Sequence, residues 1–207
     1  MITLEGGEGA GKSTLIEGLR GYLQERGIDP LFTREPGGTV LGERVRELIL
    51  DPALSGICAE SELLLMFAAR AQLVRECIRP ALDAGRWVVC DRFTDASYAY
   101  QGGGRGQPRE RIAELERWAA DGLVPDLTLL LDLPVTLGRE RTAGREEQAD
   151  RIELEEVGFF ERIHATYLER AAAEPQRFRV LDATRPPHDV LEAAIAALAP
   201  LLDGARA

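Results

Sequence analysis

Short apolar runs alternate along the chain with longer segments in which apolar residues recur every three or four positions. The short runs predict strands at 2–5, 30–34, 86–90, 127–133 and 178–182. The periodic segments predict helices near 12–26, 39–50, 60–84, 108–121, 134–142, 155–173 and 187–202. Apolar strands separated by helices are typical of a parallel sheet covered on both faces. The pattern therefore predicts a single α/β domain over residues 1–207, with a five-stranded parallel sheet flanked by helices and ligands at the carboxyl ends of its strands.

The strongest local signal is the stretch EGGEGAGKST, residues 5–14, which begins at the end of the first predicted strand. Gly6, Gly11, Lys12 and Ser13 match the pattern Gly-x4-Gly-Lys-Ser/Thr of a phosphate-binding loop. Lys12 is also the one lysine among 25 basic residues, so the remaining 24 are arginine. A bias towards arginine codons would leave a surviving lysine anywhere, whereas this lysine lies where the pattern requires it.

A compact ammonium group suits this position better than a guanidinium group. The loop amides and the amino end of the following helix form a nest for phosphate oxygens, into which a point charge with three donors fits. We expect Lys12 to reach the β- and γ-phosphates of a nucleotide and the Ser13 hydroxyl to bind Mg²⁺. The context agrees, because MITLE predicts a buried strand and STLIEGLRGYLQERG predicts an amphipathic helix that stops at Gly27.

Charge and cysteine content narrow the class of protein. A formal net charge of −10 argues against nucleic acid as a partner, because the chain has no net basic field. The three cysteines lie among apolar residues without metal-binding or redox spacing, which predicts core thiols in a reducing cytoplasm. The chain has no apolar run of membrane-spanning length and starts directly with a strand, so we expect neither a membrane partner nor a signal peptide.

Two predicted strands end in charged residues, at the positions where a parallel sheet gathers its ligands. Arg34 and Glu35 precede a Pro-Gly-Gly turn, and Asp91 and Arg92 follow the third predicted strand. We expect Asp91 to organise Mg²⁺ or an active-site arginine, and Arg92 to grip a second phosphate with its planar fork. The next residues, FTDASYAYQGGGRG, predict a polar, aromatic and glycine-rich loop.

Two further stretches leave alternatives open. Phe67 and Arg70 share one helix face, where they either form a core residue and an ion-pair partner or stack on a base and bond its edge. The charged residues 138–152 form either a solvated helix face or a lid that lowers arginines onto a transferring phosphoryl group and shields it from water. Four arginines lie in this stretch: Arg139, Arg141, Arg145 and Arg151.

Six stretches in order resemble those of bacterial thymidylate kinases over essentially the whole chain: EGGEGAGKST, TREPGGT, MFAARAQLV, CDRFTDASYAYQGGGRG, PDLTLLLD and ADRIE. The resemblance implies the P-loop fold of nucleoside monophosphate kinases, with a five-stranded parallel sheet and a short arginine-rich lid at about 138–152. It implies transfer of the γ-phosphoryl group of ATP to dTMP with Mg²⁺, which gives dTDP and ADP in dTTP synthesis. It also implies a cytoplasmic homodimer.

The resemblance further implies which residues form the site. ATP would be held by Gly7, Glu8, Gly9, Ala10, Gly11, Lys12, Ser13 and Thr14. The residues that would bind dTMP are Glu8, Arg34, Phe67, Arg70, Arg92, Ser97, Tyr98 and Gln101. Catalysis would use Lys12, Asp91, Arg92 and Arg145, and the metal would be bound by Ser13 and Asp91. The segment DATRPP would form the wall next to adenine.

Within the dTMP set, the resemblance implies a distinct contact for each part of the nucleotide. Glu8 would meet the sugar 3′-hydroxyl and Arg92 the phosphate, while Phe67 would stack on thymine and Arg70 would bond its edge. Tyr98 and Gln101 would close the pocket around sugar and base. Two details depart from some relatives: Met66 stands where they carry an aromatic residue, and the phosphate loop contains no arginine. The missing charge is expected from the lid, with Arg145 preferred to Arg141.

Two other functions compete with this interpretation. A related small-molecule kinase for another monophosphate would keep Lys12 and the lid but rearrange residues 67–106. A nucleotide-dependent switch that binds ATP or GTP would have little use for a second phosphate clamp such as Arg92 or for an arginine-rich lid. A purely structural domain is hard to reconcile with the phosphate loop.

Overall fold

The computed structural model describes residues 1–54, 56–144 and 149–204, and its centre is a five-stranded sheet. The strands are β1 Ile2–Glu5, β2 Leu31–Arg34, β3 Val88–Asp91, β4 Leu127–Asp132 and β5 Phe178–Asp182. They are hydrogen-bonded in the order β2-β3-β1-β4-β5, and every pair is parallel. The predicted five-stranded parallel sheet is confirmed.

Helices follow the strands and cover both faces of the sheet. They are α1 Lys12–Gln24, α2 Val40–Leu50, α3 Ala59–Leu73, α4 Arg79–Asp83, α5 Thr94–Ser97, α6 Arg109–Ala119, α7 Val135–Ala143, α8 Val157–Ala173 and α9 Pro187–Gly204. A π-helical turn, Val74–Ile78, joins α3 to α4. The long helix predicted at 60–84 is therefore continuous, with a wider turn in its middle. Pro52–Leu54 forms a short 3₁₀ turn.

The segment after β3 was predicted as a glycine-rich loop, and that prediction is wrong. It folds as α5, which continues directly into a π-helical segment, Tyr98–Gly104. Its glycines serve close packing against α8. A Cβ atom on Gly103 would lie 2.2 Å from the Thr166 hydroxyl oxygen, and one on Gly104 would lie 2.5 Å from the Phe159 ring. In the sequence these glycines read as loop residues, but here they allow two helical segments to touch.

The core lies on both sides of the sheet. On one face, α1 buries Leu15, Leu19 and Leu23 against the strands together with apolar residues of α9. On the other face, aromatic residues of α8 such as Phe159 and Tyr167 pack with Tyr100 and other apolar side chains. Among the helices of the described residues, none has the length and apolar character needed to cross a bilayer.

The register of the sheet brings charged residues together at the carboxyl ends of neighbouring strands. Arg34 is paired with Asp91 across β2 and β3, and Leu4 is paired with the same Asp91 across β1 and β3. The last residue of β1 is Glu5, whose side chain is fully buried. Because the strands are parallel, these residues lie at their common carboxyl edge, where ligands of open α/β sheets bind.

Candidate active site

A cavity of about 670 Å³ opens at this carboxyl edge, beside the loop that joins β1 to α1. Residues of α2, α3 and the helical segment after β3 form its other walls. The predicted site residues that line it are Glu8, Gly9, Ala10, Gly11, Lys12, Ser13, Thr14, Arg34, Asp91, Arg92 and Gln101. Gly7 lines a second cavity that shares Glu8 with the first. The structure thus brings the predicted phosphate loop and part of the predicted dTMP set around one space.

Glycines shape the phosphate loop and Lys12 supplies its charge. Gly9 and Gly11 have φ angles of 72° and 92°, in the left-handed region that favours glycine. Gly11 is the N-cap of α1, so no side chain caps the first-turn amides. The Lys12 ammonium group donates to the carbonyl oxygens of Gly6 at 3.1 Å and Gly7 at 3.2 Å. A helix amino end and a buried cation therefore face the same point, which suits a phosphate group.

The phosphate loop is locked to the helix that leads into the predicted lid. A Cβ atom on Gly9 would lie 2.4 Å from the carbonyl oxygen of Gly138, and one on Gly138 would lie 2.5 Å from the carbonyl oxygen of Glu8. Arg141, on the same helix α7, donates to the carbonyl oxygens of Gly9 at 3.4 Å and Ala183 at 3.2 Å and lines the cavity. The phosphate loop and α7, which leads into the predicted lid, therefore pack directly on each other. Arg145 lies outside the described residues.

The guanidinium group of Arg92 meets the phosphate loop at the Gly6 carbonyl oxygen, which Lys12 also binds. It donates to the carbonyl oxygen of Gly6 at 3.0 Å, to the Tyr167 hydroxyl at 3.2 Å and to the Glu8 carboxylate at 2.7 Å. The group also lies over the Tyr100 ring, 4.7 Å from its centroid. Arg92 has a positive φ of 67°, which is uncommon outside glycine. An uncommon backbone conformation at a residue whose side chain is held by three hydrogen bonds is typical of a functional position.

Two cations of the cavity wall converge on one backbone oxygen, because Lys12 and Arg92 both donate to the Gly6 carbonyl. Burial lowers the pKa of Lys12, and the nearby Arg92 guanidinium lowers it further, while Glu8 and Asp91 raise it. Arg92 therefore disfavours the charged form of Lys12. A phosphate group bound beside both cations would relieve that repulsion, since it would bring an opposite charge to both.

Glu5 and Tyr167 form a buried support for Arg92 that the sequence did not reveal. The Glu5 carboxylate accepts hydrogen bonds from the Phe93 amide at 2.7 Å and from the Tyr167 hydroxyl at 2.7 Å. Burial raises the pKa of Glu5 to about 8, and neighbouring Asp95 raises it as well. No local motif marks this cluster, because Tyr167 is 162 residues from Glu5 in the chain.

Asp91 and Ser13 offer oxygen atoms that fit a magnesium ion. One carboxylate oxygen of Asp91, Oδ1, is buried and has no hydrogen-bond partner within the described residues. Ser13 is exposed at the loop, and both residues line the cavity. No group of three or more His, Cys, Asp or Glu residues suited to a metal occurs in the described part of the chain. This donor set suits Mg²⁺, which binds through one or two protein oxygens together with water and substrate phosphates.

Arg70 is fully buried and takes part in an ion pair. Its guanidinium group donates to the Glu35 carboxylate at 2.6 and 2.8 Å, to the Ser97 hydroxyl at 3.0 Å and to the Phe93 carbonyl oxygen at 3.0 Å. Of the two alternatives for this residue, the geometry favours the ion pair. Glu35 lines the cavity, so Arg70 and Ser97 support the wall from behind. Arg34 forms a separate, half-exposed ion pair with Glu43 at 2.8 Å.

The side chain that α3 presents to the cavity is Met66. Phe67 is 3% exposed and packs with Leu63, Tyr98 and Ile112 in a separate apolar cluster. Tyr98 donates its hydroxyl to a carboxylate of α6 at 2.6 Å and stacks under an arginine of α8. Phe67 and Tyr98 therefore lie behind the residues that line the cavity.

Comparison with known proteins places the chain in a family. A family model described as thymidylate kinase matches residues 4–194. A thymidylate kinase of Halorhodospira halophila is 56% identical over 202 residues, which cover 97% of this chain and 94% of the relative. A thymidylate kinase of Ectopseudomonas mendocina is 58% identical over 182 residues, covering 88% and 86%. One of Alkalilimnicola ehrlichii is 57% identical over 198 residues, covering 96% and 91%. The chain belongs to the thymidylate kinase family.

Proposed function

We propose that this protein transfers the γ-phosphoryl group of ATP to dTMP and releases dTDP and ADP, a step in dTTP synthesis. The observation that carries the proposal is the pair of cationic groups, Lys12 and Arg92, on the wall of one cavity. A phosphate loop alone serves any nucleotide-binding protein, whereas a second arginine clamp serves a second phosphorylated substrate. The thymidylate kinase names of the relatives support dTMP as that substrate.

In the proposed reaction the chain chiefly positions charge. The loop amides and Lys12 hold the β- and γ-phosphates, and Arg92 holds the monophosphate so that its oxygen faces the γ-phosphorus. Glu8 accepts hydrogen bonds from Arg92 and from the Tyr100 hydroxyl through one oxygen. In the proposed reaction it lies between the two substrates. From there its carboxylate accepts a hydrogen bond from the sugar 3′-hydroxyl.

Magnesium belongs to the proposal as a partner of ATP. Ser13 and Asp91 would hold it, with the unpartnered Oδ1 of Asp91 as the carboxylate donor. When bound, the ion neutralises charge on the phosphate oxygens. The part of Asp91 can be tested without turnover, since Asp91→Asn should weaken binding of Mg²⁺ADP more than binding of ADP in the absence of the metal.

The base of dTMP is proposed to lie against Met66 and Gln101, the residues that α3 and the segment Tyr98–Gly104 present to the cavity. Met66 offers a flexible, polarisable surface for an aromatic ring. Phe67 and Arg70 stay in the proposal as residues of the base site that act through the wall: one packs behind it and the other holds Glu35.

Arg145 remains the proposed lid donor during transfer. The phosphate loop contains no arginine, and Glu8 adds negative charge, so charge on the transferring group needs a further donor. Arg145→Ala should lower kcat by roughly 10²–10³ and leave the Kd for dTMP nearly unchanged, as expected of a transition-state contact. Arg139 and Arg141 should be changed alone and together with Arg145. A triple variant with kcat near the wild-type value would contradict the proposal.

We also propose a homodimer in the cytoplasm. Apolar side chains are exposed on three neighbouring helices, with Leu41 and Leu48 on α2, Leu64 on α3 and Trp118 on α6. Such a patch suits a second copy of the chain. Sedimentation of the wild type and of Leu64→Glu tests it, with a monomer expected for the variant. The three cysteines are free, which suits a reducing compartment. The expected core position holds for Cys90 alone, because Cys58 is exposed and Cys77 is half-buried.

One coupled assay separates the proposed function from its competitors. ADP formation should be fast with ATP and dTMP together, and slow with ATP alone. Turnover should fall in the order dTMP, dUMP, then CMP and AMP. Faster turnover of CMP or AMP would mean a kinase for another monophosphate. Binding of ATP without turnover of any monophosphate would mean a nucleotide-dependent switch.

A further inference from the structure

The cavity wall holds a glutamine whose amide group is fixed from behind. Gln101 is 3% exposed and lines the cavity, and its nitrogen Nε2 donates to Oε1 of Glu62 at 3.0 Å. Its oxygen Oε1 is buried without a hydrogen-bond partner within the described residues. A buried acceptor without a partner is unfavourable. The unpartnered oxygen can therefore accept a hydrogen bond from a ligand in the cavity.

Glu62 decides which end of this amide faces the cavity. It is fully buried, and its carboxylate also accepts hydrogen bonds from Arg151 at 2.6 Å and from Arg105 at 3.2 Å. Burial raises the pKa of Glu62, but the hydrogen bonds from Gln101 and Arg151 and the charge of Arg105 bring it below its ordinary value. An ionised carboxylate only accepts hydrogen bonds. The nitrogen of Gln101 must therefore face Glu62, and its oxygen must face away from it.

We propose that Glu62 is a specificity-determining positioning residue, which makes Gln101 present an acceptor to the base and so selects pyrimidines that carry an N–H at ring position 3. Thymine and uracil have that N–H, whereas N3 of cytosine is itself an acceptor. An acceptor held opposite another acceptor leaves both without a bond, which is how polar sites reject close analogues. The inference rests on the proposed function, in which dTMP lies in this cavity.

The test compares three monophosphates in wild type and in Glu62→Gln. The new amide can donate to Oε1 of Gln101, so the Gln101 amide can turn and offer its nitrogen to the base. We expect kcat/KM for dTMP and dUMP to fall about tenfold or more, and the dTMP to dCMP ratio of kcat/KM to fall roughly a hundredfold. The dTMP to dUMP ratio should stay within about twofold, because both bases carry the same N3–H.

The dTMP to dUMP ratio distinguishes a positioning role of Glu62 from a general loosening of the cavity wall. If Glu62→Gln only loosened the wall, the methyl group of thymine would be sensed less well and both ratios would fall together, which would overturn the inference. Unchanged values of both ratios would overturn it as well. Arg105→Lys is the matched control, because it disturbs the same ion-pair cluster but leaves Glu62 an acceptor. It should keep the dTMP to dCMP ratio of the wild type.

A charge exchange provides the rescue. In Glu62→Gln with Gln101→Glu, the amide at position 62 donates to the carboxylate at position 101, which then presents an acceptor to the base. This double variant should recover most of the dTMP to dCMP ratio lost in the single variant. No recovery would mean that the orientation of the amide does not set the choice of base.

A measurement on the wild type covers the case in which Glu62→Gln does not fold. The side-chain NH₂ resonances of Gln101, identified by their absence in Gln101→Glu, should be protected from hydrogen exchange without dTMP and should shift little when dTMP is added. A large shift of these resonances would place the nitrogen against the base and overturn the inference. If the proposed function itself is wrong, wild type will not turn over dTMP at all. The inference fails separately if wild type prefers dTMP to dCMP and Glu62→Gln keeps that preference.

Discussion

The phosphate loop and the wall formed by α3 and the helical segment after β3, which we propose to face the base, flank one cavity, yet they are held together in different ways. In the loop, Lys12 bonds the carbonyl oxygens of Gly6 and Gly7, only six and five residues away. In the wall, Arg70 bonds Glu35, which lies 35 residues earlier, and Ser97, which lies 27 residues later. The internal bonds of the loop are encoded in one short stretch. The wall, and the contacts of the loop with Arg92 and Arg141, exist only once the fold has formed.

The largest expected effect is a loss of stability on replacing Phe67, which packs behind the cavity wall. Phe67→Ala should lower the free energy of unfolding by about 3–5 kcal/mol, because it empties a buried aromatic site. The protein that stays folded should keep its KM for dTMP within about threefold, since Phe67 lies in a cluster behind the cavity wall. Denaturant unfolding and steady-state kinetics measure the two quantities.

Met66→Ala is the matched variant, because Met66 is its neighbour and does line the cavity. It should raise the KM for dTMP well beyond the value for Phe67→Ala. If Phe67→Ala instead raised this KM strongly with little loss of stability, Phe67 would have the direct stacking role that the sequence suggested.

A substitution in the phosphate loop should lower kcat and leave the free energy of unfolding unchanged. Lys12→Arg should lower kcat by two orders of magnitude or more, about 2.7 kcal/mol, because the guanidinium fork does not fit the nest and cannot follow the moving phosphoryl group. Thermal unfolding should stay near that of wild type. The control is Arg44→Lys, at a side chain that is 73% exposed. Activity of Lys12→Arg within a few-fold of wild type would attribute the lone lysine to chance.

Arg92→Lys should affect the binding of dTMP more strongly than the binding of ATP. The variant keeps the charge but loses the fork, so the Kd for dTMP should rise roughly tenfold to a hundredfold. The Kd for ATP should change little, because Lys12 and the loop amides remain. Calorimetry with each nucleotide measures both constants. Equal losses for the two would assign Arg92 a shared or structural role.

A pH-dependent effect on stability concerns the support beneath Arg92. The pKa of Glu5 is raised from 4.5 to about 8 in the folded protein. Between these pH values the unfolded chain releases a proton that the folded protein keeps, so the contribution of Glu5 to stability falls as pH rises from about 4.5 to about 8. Glu5→Gln removes this dependence. The stability of wild type relative to Glu5→Gln should therefore be lower at pH 8 than at pH 5 in urea unfolding.

Glu43→Gln is the control, because the contribution of Glu43 to stability changes with pH in the opposite direction. A hydrogen bond from the Gly38 amide holds the pKa of Glu43 below its ordinary value. Its contribution to stability is present above about pH 4.5 and is lost as pH falls below that value. A Glu5→Gln profile that resembled the Glu43→Gln profile would contradict the raised pKa of Glu5.

The strands, most helices and the phosphate loop could be predicted because their signals are local. Apolar runs and periods predict strands and helices within a few residues, and the spacing of Gly6, Gly11 and Lys12 defines the loop. The segment Tyr98–Gly104 was missed, since glycines usually punctuate loops. Here Gly103 and Gly104 are contact points for α8, a helix that begins more than fifty residues later.

The side-chain partners within the site could not be predicted in the same way. The sequence left Arg70 between an ion pair and a base contact, and the choice depended on where Glu35 lies in the fold. Glu5 and Tyr167 had no signal at all, because a carboxyl at the end of a strand and a tyrosine within a helix are ordinary on their own. Phe67 and Met66 are neighbours whose order towards the cavity is set by the rotation of α3.

The contact between Gly9 and Gly138 constrains how the sequence of this protein can evolve. At each position the obstacle to a side chain is the backbone of the other segment, and no replacement of a neighbouring side chain can remove it. A second mutation therefore cannot compensate for the first, in contrast to an overpacked core where a smaller neighbour often can. In a random library selected for growth, each of the two positions should therefore remain glycine whatever residue stands at the other, and the two positions should not covary. The contact between the phosphate loop and α7 is then a place where the sequence cannot change.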